Sequence, residues 1–340
     1  MSGAWPAGDA AVRRVLVTGS SGMLGGAVAQ LLHERGFLVR SLQRSAVDSP
    51  WESVQGSVAD PAVAASAVAG VDAVVHLAAK VSFTGAWDEF VATNIVGTRQ
   101  LLDAAQRAGV RDFVFVSSPS VAHFGSAIVG AGAQAANPTL ARGHYARSKA
   151  AAEEIALAQD SPTFRVTALR PHIVWGPGDT QLVERVVERA RAGRLPLIDG
   201  GRALIDTSYV DNAAEAIVRG LERMDHAHGQ ALVITNGEPR PVGELIAGIC
   251  AAAGVPAPSH SVPGGLARGA GSIIEKAWTA AGARGWVRDE PPMTRFLAEQ
   301  LSTAHWFDQR HTQAVLDWTP AISLDEGLAR LAEHYRRRQI

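Results

Sequence analysis

The side chains best suited to acid–base chemistry in this sequence are Tyr145 and Lys149, which stand four residues apart. The chain holds only 3 tyrosines, and arginine fills most of its basic positions. On a helix, residues i and i+4 share a face, so the phenol and the ammonium would be neighbours. An adjacent ammonium stabilises a phenolate and lowers its pKa. We expect Tyr145 to exchange a proton with an alcohol or ketone oxygen; the alternative is a packed tyrosine beside a solvated lysine.

Two polar residues earlier in the chain would complete such a site. Ser118 follows the apolar run "FVFV" at the end of a predicted strand, and Asn94 lies in a predicted helix. Ligands of open α/β sheets bind at the carboxyl ends of the strands. There Ser118 would hydrogen-bond the oxygen that Tyr145 protonates, and Asn94 would position Lys149 or a water molecule.

A glycine-rich turn near the N-terminus indicates a binding site for a dinucleotide. The first predicted strand ends in "TGSSGMLGG", which spaces Gly19, Gly22 and Gly25 three residues apart before a helix. Glycine permits the positive φ of a tight turn and lets the backbone approach a pyrophosphate. The N-terminus of the helix attracts the anion. The alternative is a glycine-rich turn without a ligand.

The end of the second predicted strand bears on the type of nicotinamide cofactor. An acidic residue about 20 positions beyond the glycines would bind a ribose 2′-hydroxyl. This chain has Gln43 and Arg44 there, and the first acidic residue is Asp48. Because arginine pairs well with phosphate, Arg44 favours NADP(H) and leaves NAD(H) open, unless it is a solvated surface arginine.

These residues need a parallel sheet to bring them together. Val-rich runs predict strands at 14–19, 37–42, 72–79, 112–118 and 165–171, and helical patterns cover 22–35, 61–69, 87–108 and 145–159. Alternating strands and helices predict an α/β fold, a Rossmann-type doubly wound parallel sheet. We expect a dinucleotide-binding domain over 1–172. Residues 173–340 would form a smaller, mostly helical substrate-binding region that returns in part to the sheet.

Bulk composition excludes several other classes of protein. The net charge of -1 offers no general attraction to nucleic acid, and the single cysteine, Cys250, cannot form an internal disulfide. The N-terminus lacks the apolar core of a signal peptide, and no apolar run is long enough to span a membrane. We expect a soluble cytoplasmic protein. No histidine pair has convincing metal-ligand spacing, and His226 and His228 fall in a polar turn.

The order and spacing of these motifs are similar to those of the extended short-chain dehydrogenase/reductases. The motifs are "TGSSGMLG", "HLAAK" (76–80), "NIVGT" (94–98), "VSSPSV" (116–121), "YARSK" (145–149) and "LRPHIVWGPGD" (169–179). "DTSYVDNAAEA" (206–216) resembles the 3β-hydroxysteroid dehydrogenase-like branch. "ITNGEP" (234–239) and "EPPMTRFLAEQLSTAHWF" (290–307) resemble the bacterial 2-alkyl-3-oxoalkanoate reductases of long-chain olefin and β-lactone biosynthesis.

The resemblance implies a role for each matching residue. Tyr145 would be the general acid in reduction, Lys149 would hold the nicotinamide ribose, Ser118 would orient the carbonyl, and Asn94 would support the proton relay. The remaining residues implied to contact the cofactor are Gly19, Ser21, Gly22, Met23, Leu24, Val58, Ala78, Ala79, Lys80, Pro171 and Ile173.

The reaction implied is NADPH-dependent reduction of a 2-alkyl-3-oxoalkanoate. The alternatives are an NAD⁺-dependent 3β-hydroxysteroid dehydrogenase, a nucleotide-sugar epimerase or dehydratase, and a non-catalytic NADP-binding regulator. The chain departs from the family pattern at Ser57, where an acidic residue usually holds adenine, and at His144, where proline is common beside the tyrosine. Residues 119–142, which lack any acidic residue, would form either a lid or a short loop.

The substrate is expected to be a hydrophobic ketone or alcohol. Aromatic and imidazole side chains near the motifs are the candidate pocket residues: Phe83, Trp87, His123, Phe124, His172 and Trp175. Arg142 and Arg202 are candidate anchors for a substrate carboxylate. The helical pattern over 266–284 would cover an apolar tunnel or lie on a membrane surface. We also expect a homodimer, and association with other lipid-biosynthesis enzymes is a further prediction.

Overall fold

The computed structural model describes residues 13–82, 85–283 and 295–338, without the side chains of 275–277, 279–283 and 295–297. The strands are β1 (Arg14–Thr18), β2 (Leu38–Gln43), β3 (Glu52–Gln55), β4 (Ala73–His76), β5 (Asp112–Val116), β6 (Ile128–Ala131), β7 (Arg165–Pro171), β8 (Val174–Trp175), β9 (Leu197–Ile198), β10 (Leu204–Ile205), β11 (Ser208–Tyr209), β12 (Ala231–Ile234), β13 (Arg240–Pro241), β14 (Ser261–Val262) and β15 (His305–Phe307).

The α-helices connect and cover these strands. They are α1 (Met23–Glu34), α2 (Pro61–Val68), α3 (Trp87–Phe90), α4 (Gly97–Arg107), α5 (Gly143–Leu157), α6 (Val183–Arg191), α7 (Val210–Glu222), α8 (Met224–Ala227), α9 (Val242–Ala252), α10 (Gly264–Ala283), α11 (Arg295–Ser302), α12 (Arg310–Leu316) and α13 (Leu324–Arg338).

A seven-stranded parallel sheet forms the centre of the first half, as the strand–helix alternation predicts. Its order is β12-β7-β5-β4-β1-β2-β3. Every residue of β4, β5 and β7 is buried, as expected for strands covered on both faces. The sequence patterns identified five of the seven strands. They missed β3, because a short strand with mostly exposed residues at the sheet edge carries no continuous apolar run.

Helices bury apolar side chains against both faces of this sheet. Helices α1 and α7 contribute to one apolar cluster, and α2, α4 and α5 contribute to the other. The predicted helix over 87–108 is interrupted: Val91–Val96 form a π-helical segment between α3 and α4. Such segments occur often at functional sites, and this one contains Asn94.

The second half packs a separate apolar core around α6, α9 and α13. The 119–142 segment is tied to it, because β6 pairs in parallel with β15, and β15 pairs with β10. This segment is therefore part of a small second sheet. None of the described helices is both long and apolar enough to cross a membrane. On α10, Leu266 and Ile273 are exposed, whereas Ala267 is buried.

Candidate active site

Helix α5 holds Tyr145 and Lys149 against the end of β5. The ammonium of Lys149 donates a hydrogen bond to the carbonyl oxygen of Val116 at 2.7 Å and lies 4.1 Å from the ring centroid of Phe115. Tyr145 is half-buried, and it lines the same cavity as Ser118. The tertiary structure therefore brings Ser118 and Tyr145 together, with Lys149 one helical turn away.

Burial controls the protonation of both groups. It raises the pKa of Tyr145 to about 12, although the Ser118 hydroxyl acts in the opposite direction. Burial also lowers the pKa of Lys149 to about 7, against the carboxylate of Glu153, which raises it. The expected lowering of the Tyr145 pKa by Lys149 is therefore absent in the protein alone. A protonated Tyr145 at neutral pH is the form that a general acid requires.

Asn94 lies in the π-helical segment and is almost fully buried. Its side-chain oxygen accepts a hydrogen bond from the backbone N–H of Lys80 at 2.7 Å, and its amide donates to the Lys80 carbonyl at 3.1 Å and to the Ser148 hydroxyl at 2.9 Å. These contacts link the loop after β4 to α5. Asn94 therefore positions the helix that carries Lys149 without bonding to the ammonium directly.

The glycine loop has the geometry of an anion-binding turn. Gly19 has a φ of +76°, and a Cβ atom on Gly25 would lie 2.2 Å from the Gly19 carbonyl oxygen, so the turn requires both glycines. Helix α1 begins after Gly22 with no side-chain cap and no acidic residue in its first turn. Its first N–H groups therefore lack side-chain acceptors, and the residues present fit a dinucleotide pyrophosphate.

Other residues predicted for the cofactor differ in accessibility. Ser21 and Gly22 are exposed, and Met23 and Leu24 are half-buried at the start of α1. Val58 is buried against α4, where a Cβ on Gly97 would meet its methyl group at 2.7 Å. We expect these residues to shape the cleft mainly by packing and backbone placement.

The carboxyl end of β2 leaves Arg44 exposed beside the glycine loop. Ser20 donates a hydrogen bond to the amide oxygen of Gln43 at 2.6 Å, which connects the loop to β2. The side chain of Arg44 is exposed, and it forms no ion pair with the described residues. Ser57 is exposed as well. This edge of the sheet therefore presents a cation and no carboxylate at the position where a ribose is expected.

The ends of β4 and β7 carry the other residues that are predicted to contact the cofactor. Ala78 donates its N–H to the Thr18 hydroxyl at 3.0 Å, and the ammonium of Lys80 pairs with Glu89 at 2.9 Å. After Pro171, Ile173 adopts a φ of +44°. Such a conformation is rare for a β-branched residue, costs about 1–3 kcal/mol and is typical of functional sites.

A largely apolar cavity of about 320 Å³ opens beside Ser118 and Tyr145. Its polar wall includes His123, His172 and His305, and Ile173 also lines it. Its apolar and charged lining comes mostly from the second half of the chain: Leu182, Arg185, Val186, Arg189, Leu195, Val242, Leu245, Ile246, Ile249 and Leu301. A second cavity of about 400 Å³ between α1, α7 and α13 contains neither catalytic candidate.

The structure brings only part of the predicted substrate set to this cavity. His123 and His172 line it, and Phe83 lies outside the described residues. Trp175 is fully buried instead, where its indole N–H donates to Thr207 at 2.9 Å. Phe124 packs in a small cluster under α5. Trp87 contacts His144 edge-to-face, with ring centroids 5.5 Å apart, and is not part of the cavity lining.

The two predicted carboxylate anchors lie elsewhere. Arg142 pairs with Glu299 at 2.7 Å, and Arg202 is exposed and donates to the backbone carbonyl of Asp199 at 3.1 Å. Neither residue is part of the cavity lining. The sequence patterns missed His305, because it enters the site only through the pairing of β15 with β6. Its sole signal was its place in the quoted motif over 290–307. Among the described residues, no cluster of His, Cys, Asp and Glu is arranged to hold a metal.

Comparison with known proteins identifies the family. Residues 15–235 match the model of the NAD dependent epimerase/dehydratase family. The 2-alkyl-3-oxoalkanoate reductase of Stenotrophomonas maltophilia is 39% identical over 327 residues, which cover 94% of this chain and 98% of that protein. The 3-beta-hydroxysteroid dehydrogenase of Mycolicibacterium neoaurum is 30% identical over 343 residues, covering 95% and 91%.

Solved structures share the fold at lower identity. UDP-glucuronic acid 4-epimerase from Bacillus cereus in complex with NAD is 18% identical, with a TM-score of 0.73, over 96% of this chain and 100% of that one. The structure of gox2253 is 24% identical, with a TM-score of 0.77, over 97% and 99%. With its Rossmann sheet and full-length reductase and dehydrogenase relatives, this chain belongs to the NAD dependent epimerase/dehydratase family and is an oxidoreductase.

Proposed function

We propose that this protein reduces 2-alkyl-3-oxoalkanoates to the corresponding 3-hydroxy acids with NADPH. The observation that carries the proposal is the placement of Ser118 and Tyr145 together in the wall of a largely apolar cavity of about 320 Å³. Apolar cavities with a few polar groups are typical of small-molecule sites. The names of the two reductase relatives, from Stenotrophomonas maltophilia and Shewanella oneidensis, support this substrate class.

The chain's own residues supply the proton and the electrostatic support. The nicotinamide, when bound, supplies the hydride to the ketone carbon. Ser118 donates a hydrogen bond to the ketone oxygen, and Tyr145 transfers its phenolic proton to that oxygen as negative charge develops. Lys149, tied to Val116, places a buried cation one turn away, which stabilises the phenolate left on Tyr145. In the reverse direction Tyr145 is the base.

The choice of NADPH depends on Arg44. A guanidinium binds a phosphate through two parallel hydrogen bonds, and the end of β2 offers no acidic residue to a 2′-hydroxyl. We place the reaction in long-chain olefin or β-lactone biosynthesis, as the sequence resemblance implies. A cytoplasmic location, a homodimer and association with other lipid-biosynthesis enzymes stay predictions.

Turnover assays test the proposal directly. The purified protein is mixed with NADPH or NADH and a long-chain 2-alkyl-3-oxo acid, and separately with a 3β-hydroxysteroid and NAD⁺. We expect reduction of the keto acid, faster with NADPH. The steroid is the second candidate because the cavity is mostly apolar and a steroid dehydrogenase is 30% identical over almost the whole chain. Turnover of the steroid alone would reverse the assignment, and cofactor binding without turnover of either would favour a regulator.

A further inference from the structure

Three histidines gather in the wall of the catalytic cavity, which we call the histidine cluster: His123, His172 and His305. The Nε2 atoms of His123 and His305 are 3.0 Å apart, and the ring centroids of His172 and His305 are 6.2 Å apart. They come from three distant parts of the chain: the turn after β5, the turn after β7, and β15. None of them has a role in the reaction described above.

The partners of His123 determine where the protons lie. The Nε2 atom of His123 is 3.0 Å from the carbonyl oxygen of Ser126, which only accepts hydrogen bonds, so this nitrogen carries the proton. The Gln300 amide then donates to the Nδ1 atom of His123 at 3.3 Å. The Nε2 atom of His305 lies 3.0 Å from this protonated nitrogen and 3.1 Å from the Thr303 hydroxyl, which also donates to the Glu299 carbonyl. Two N–H groups facing each other at this distance would repel, so we assign the His305 Nε2 atom as the acceptor. A neutral His305 therefore carries its proton on Nδ1.

This Nδ1–H group of His305 is a buried donor without a partner. His305 is 1% exposed, and its Nδ1 atom has no hydrogen-bond acceptor among the residues that the structure describes. A buried donor that lacks an acceptor destabilises the protein relative to one that is satisfied. Because His305 lines the catalytic cavity, a ligand bound there is the candidate for the missing acceptor.

His172 offers the complementary group. Its Nδ1 atom donates to the backbone carbonyl of Asp206 at 2.5 Å, so its Nε2 atom bears a lone pair. This Nε2 atom has no hydrogen-bond partner among the described residues. The cluster therefore presents one donor and one acceptor. The ring centroids of His172 and His305 are 6.2 Å apart. One small group between the two rings can therefore form a hydrogen bond of about 2.8 Å to each of them.

We propose that the histidine cluster binds the carboxyl group of the 2-alkyl-3-oxo acid, with one proton shared between that carboxyl and His172. The proposal rests on the proposed function above. His305 Nδ1–H donates to one carboxyl oxygen, and the other oxygen shares the proton with His172 Nε2. In solution the acid is a carboxylate and His172 is neutral, so binding takes up one proton from solvent.

The electrostatic surroundings support a proton that arrives with the ligand. Burial lowers the pKa of His305 to about 3 and that of His172 to about 4, so both are neutral at pH 7 before the acid binds. An incoming carboxylate favours the protonated imidazole and raises the His172 pKa. The other titratable or charged groups facing the cluster or lining its cavity are His123, Arg142, Tyr145, Arg185, Arg189, Asp206 and Glu299.

Two substitutions remove the proposed contacts while keeping the structural ones. In His305→Gln the side-chain amide reaches the Nε2 position and can still accept from His123, but the Nδ1–H donor is lost. In His172→Asn the amide reaches the Nδ1 position and can still donate to Asp206, but the Nε2 lone pair is lost. His226→Asn is the matched control, because His226 is exposed and does not line the cavity.

The measurement is calorimetric binding of a 2-alkyl-3-hydroxy acid and of its methyl ester to the complex with NADP⁺. We expect each variant to weaken binding of the acid at least about tenfold more than binding of the ester, as for loss of a hydrogen bond to a charged group. Titration in two buffers of different ionisation enthalpy should show uptake of about one proton by the wild type. That uptake should be lost in His172→Asn and kept in His226→Asn.

Two results would overturn the carboxyl site: equal weakening of acid and ester, which indicates a purely structural cluster, or binding of the acid to wild type without proton uptake. A failure of the proposed function gives a different result. If the hydroxy acid binds with proton uptake but the keto acid is not reduced by NADPH or NADH, the carboxyl site stands and the reductase assignment falls.

Discussion

The ammonium of Lys149 donates a hydrogen bond to the carbonyl oxygen of Val116 at 2.7 Å. This contact ties the helix that carries Tyr145 to the strand that leads into Ser118. Because Lys149 is buried and its pKa is lowered to about 7, its charge responds to small changes in its surroundings. The geometry of the proton donor and the charge that supports it therefore depend on the same contact.

Replacement of Tyr145 by phenylalanine removes the proposed acid while keeping the ring. We expect kcat to fall by about 10²–10⁴-fold, the usual contribution of a positioned general acid. The dissociation constant for the cofactor should change little, because the glycine loop and Arg44 are untouched. Steady-state kinetics and cofactor titration are the measurements. Tyr335→Phe on α13 is the control, and wild-type activity in Tyr145→Phe would falsify the assignment.

Two glycines of the same loop should respond differently to alanine. In Gly25→Ala the Cβ would lie 2.2 Å from the Gly19 oxygen, so we expect loss of about 1–3 kcal/mol of unfolding free energy. In Gly22→Ala the nearest atom would be 3.5 Å away, so stability should be kept while cofactor affinity falls, because the methyl group occupies the phosphate's approach. Urea unfolding and cofactor titration of both variants separate the two roles. Equal cofactor affinity in wild type and Gly22→Ala would argue against the pyrophosphate site.

The exposed guanidinium of Arg44 is expected to select NADPH. Arg44→Ala should reduce the ratio of kcat/KM for NADPH to that for NADH at least about tenfold, since hydrogen bonds to charged groups contribute about 1.5–3 kcal/mol. We expect kcat/KM for NADPH to fall and kcat/KM for NADH to stay unchanged. Arg202→Ala, at another exposed arginine, is the control. An unchanged ratio in Arg44→Ala would remove the basis for NADPH preference.

The buried imidazole of His76 should make the fold sensitive to acid. Its Nδ1 is 2.7 Å from the Thr18 hydroxyl and its Nε2 is 3.0 Å from the Thr98 hydroxyl, and burial lowers its pKa to about 3. A histidine in the unfolded chain has a pKa of about 6.5. At pH values between about 6.5 and about 3, His76 therefore binds a proton in the unfolded chain but not in the folded protein. Stability is therefore complete above about pH 6.5 and declines as the pH falls.

Substitution isolates this contribution from other groups. His172 and His305 act in the same direction as His76, and the raised pKa of Asp206, about 6, acts against them. His76→Gln should reduce the slope of unfolding free energy against pH by up to about 1.4 kcal/mol per pH unit, the value for one proton. Urea unfolding between about pH 7 and pH 5 measures that slope. If wild type and His76→Gln had the same slope, His76 would be protonated in the folded protein as well as in the unfolded chain.

Local patterns were enough to predict most of the nucleotide-binding half. Continuous apolar runs identified the buried strands, because a strand covered on both faces needs apolar residues at every position. The i,i+4 spacing of Tyr145 and Lys149 and the spacing of Gly19, Gly22 and Gly25 are short-range features. Their geometry follows from one helix and one turn, so the sequence by itself determined them.

Only the tertiary structure decided which residues form the cavity beside Tyr145. His305 and Leu245 reach the site of Tyr145 through the pairing of β15 and the packing of α9, and no local periodicity encodes such long-range contacts. Trp175 shows the converse. It follows the catalytic motifs in the sequence, but it is buried in the core, where its indole N–H donates a hydrogen bond to Thr207. The sequence by itself thus determined the candidate proton donor and the candidate dinucleotide-binding turn. The tertiary structure decided which side chains line the cavity beside Tyr145, because burial and long-range strand pairing bring distant residues into its wall.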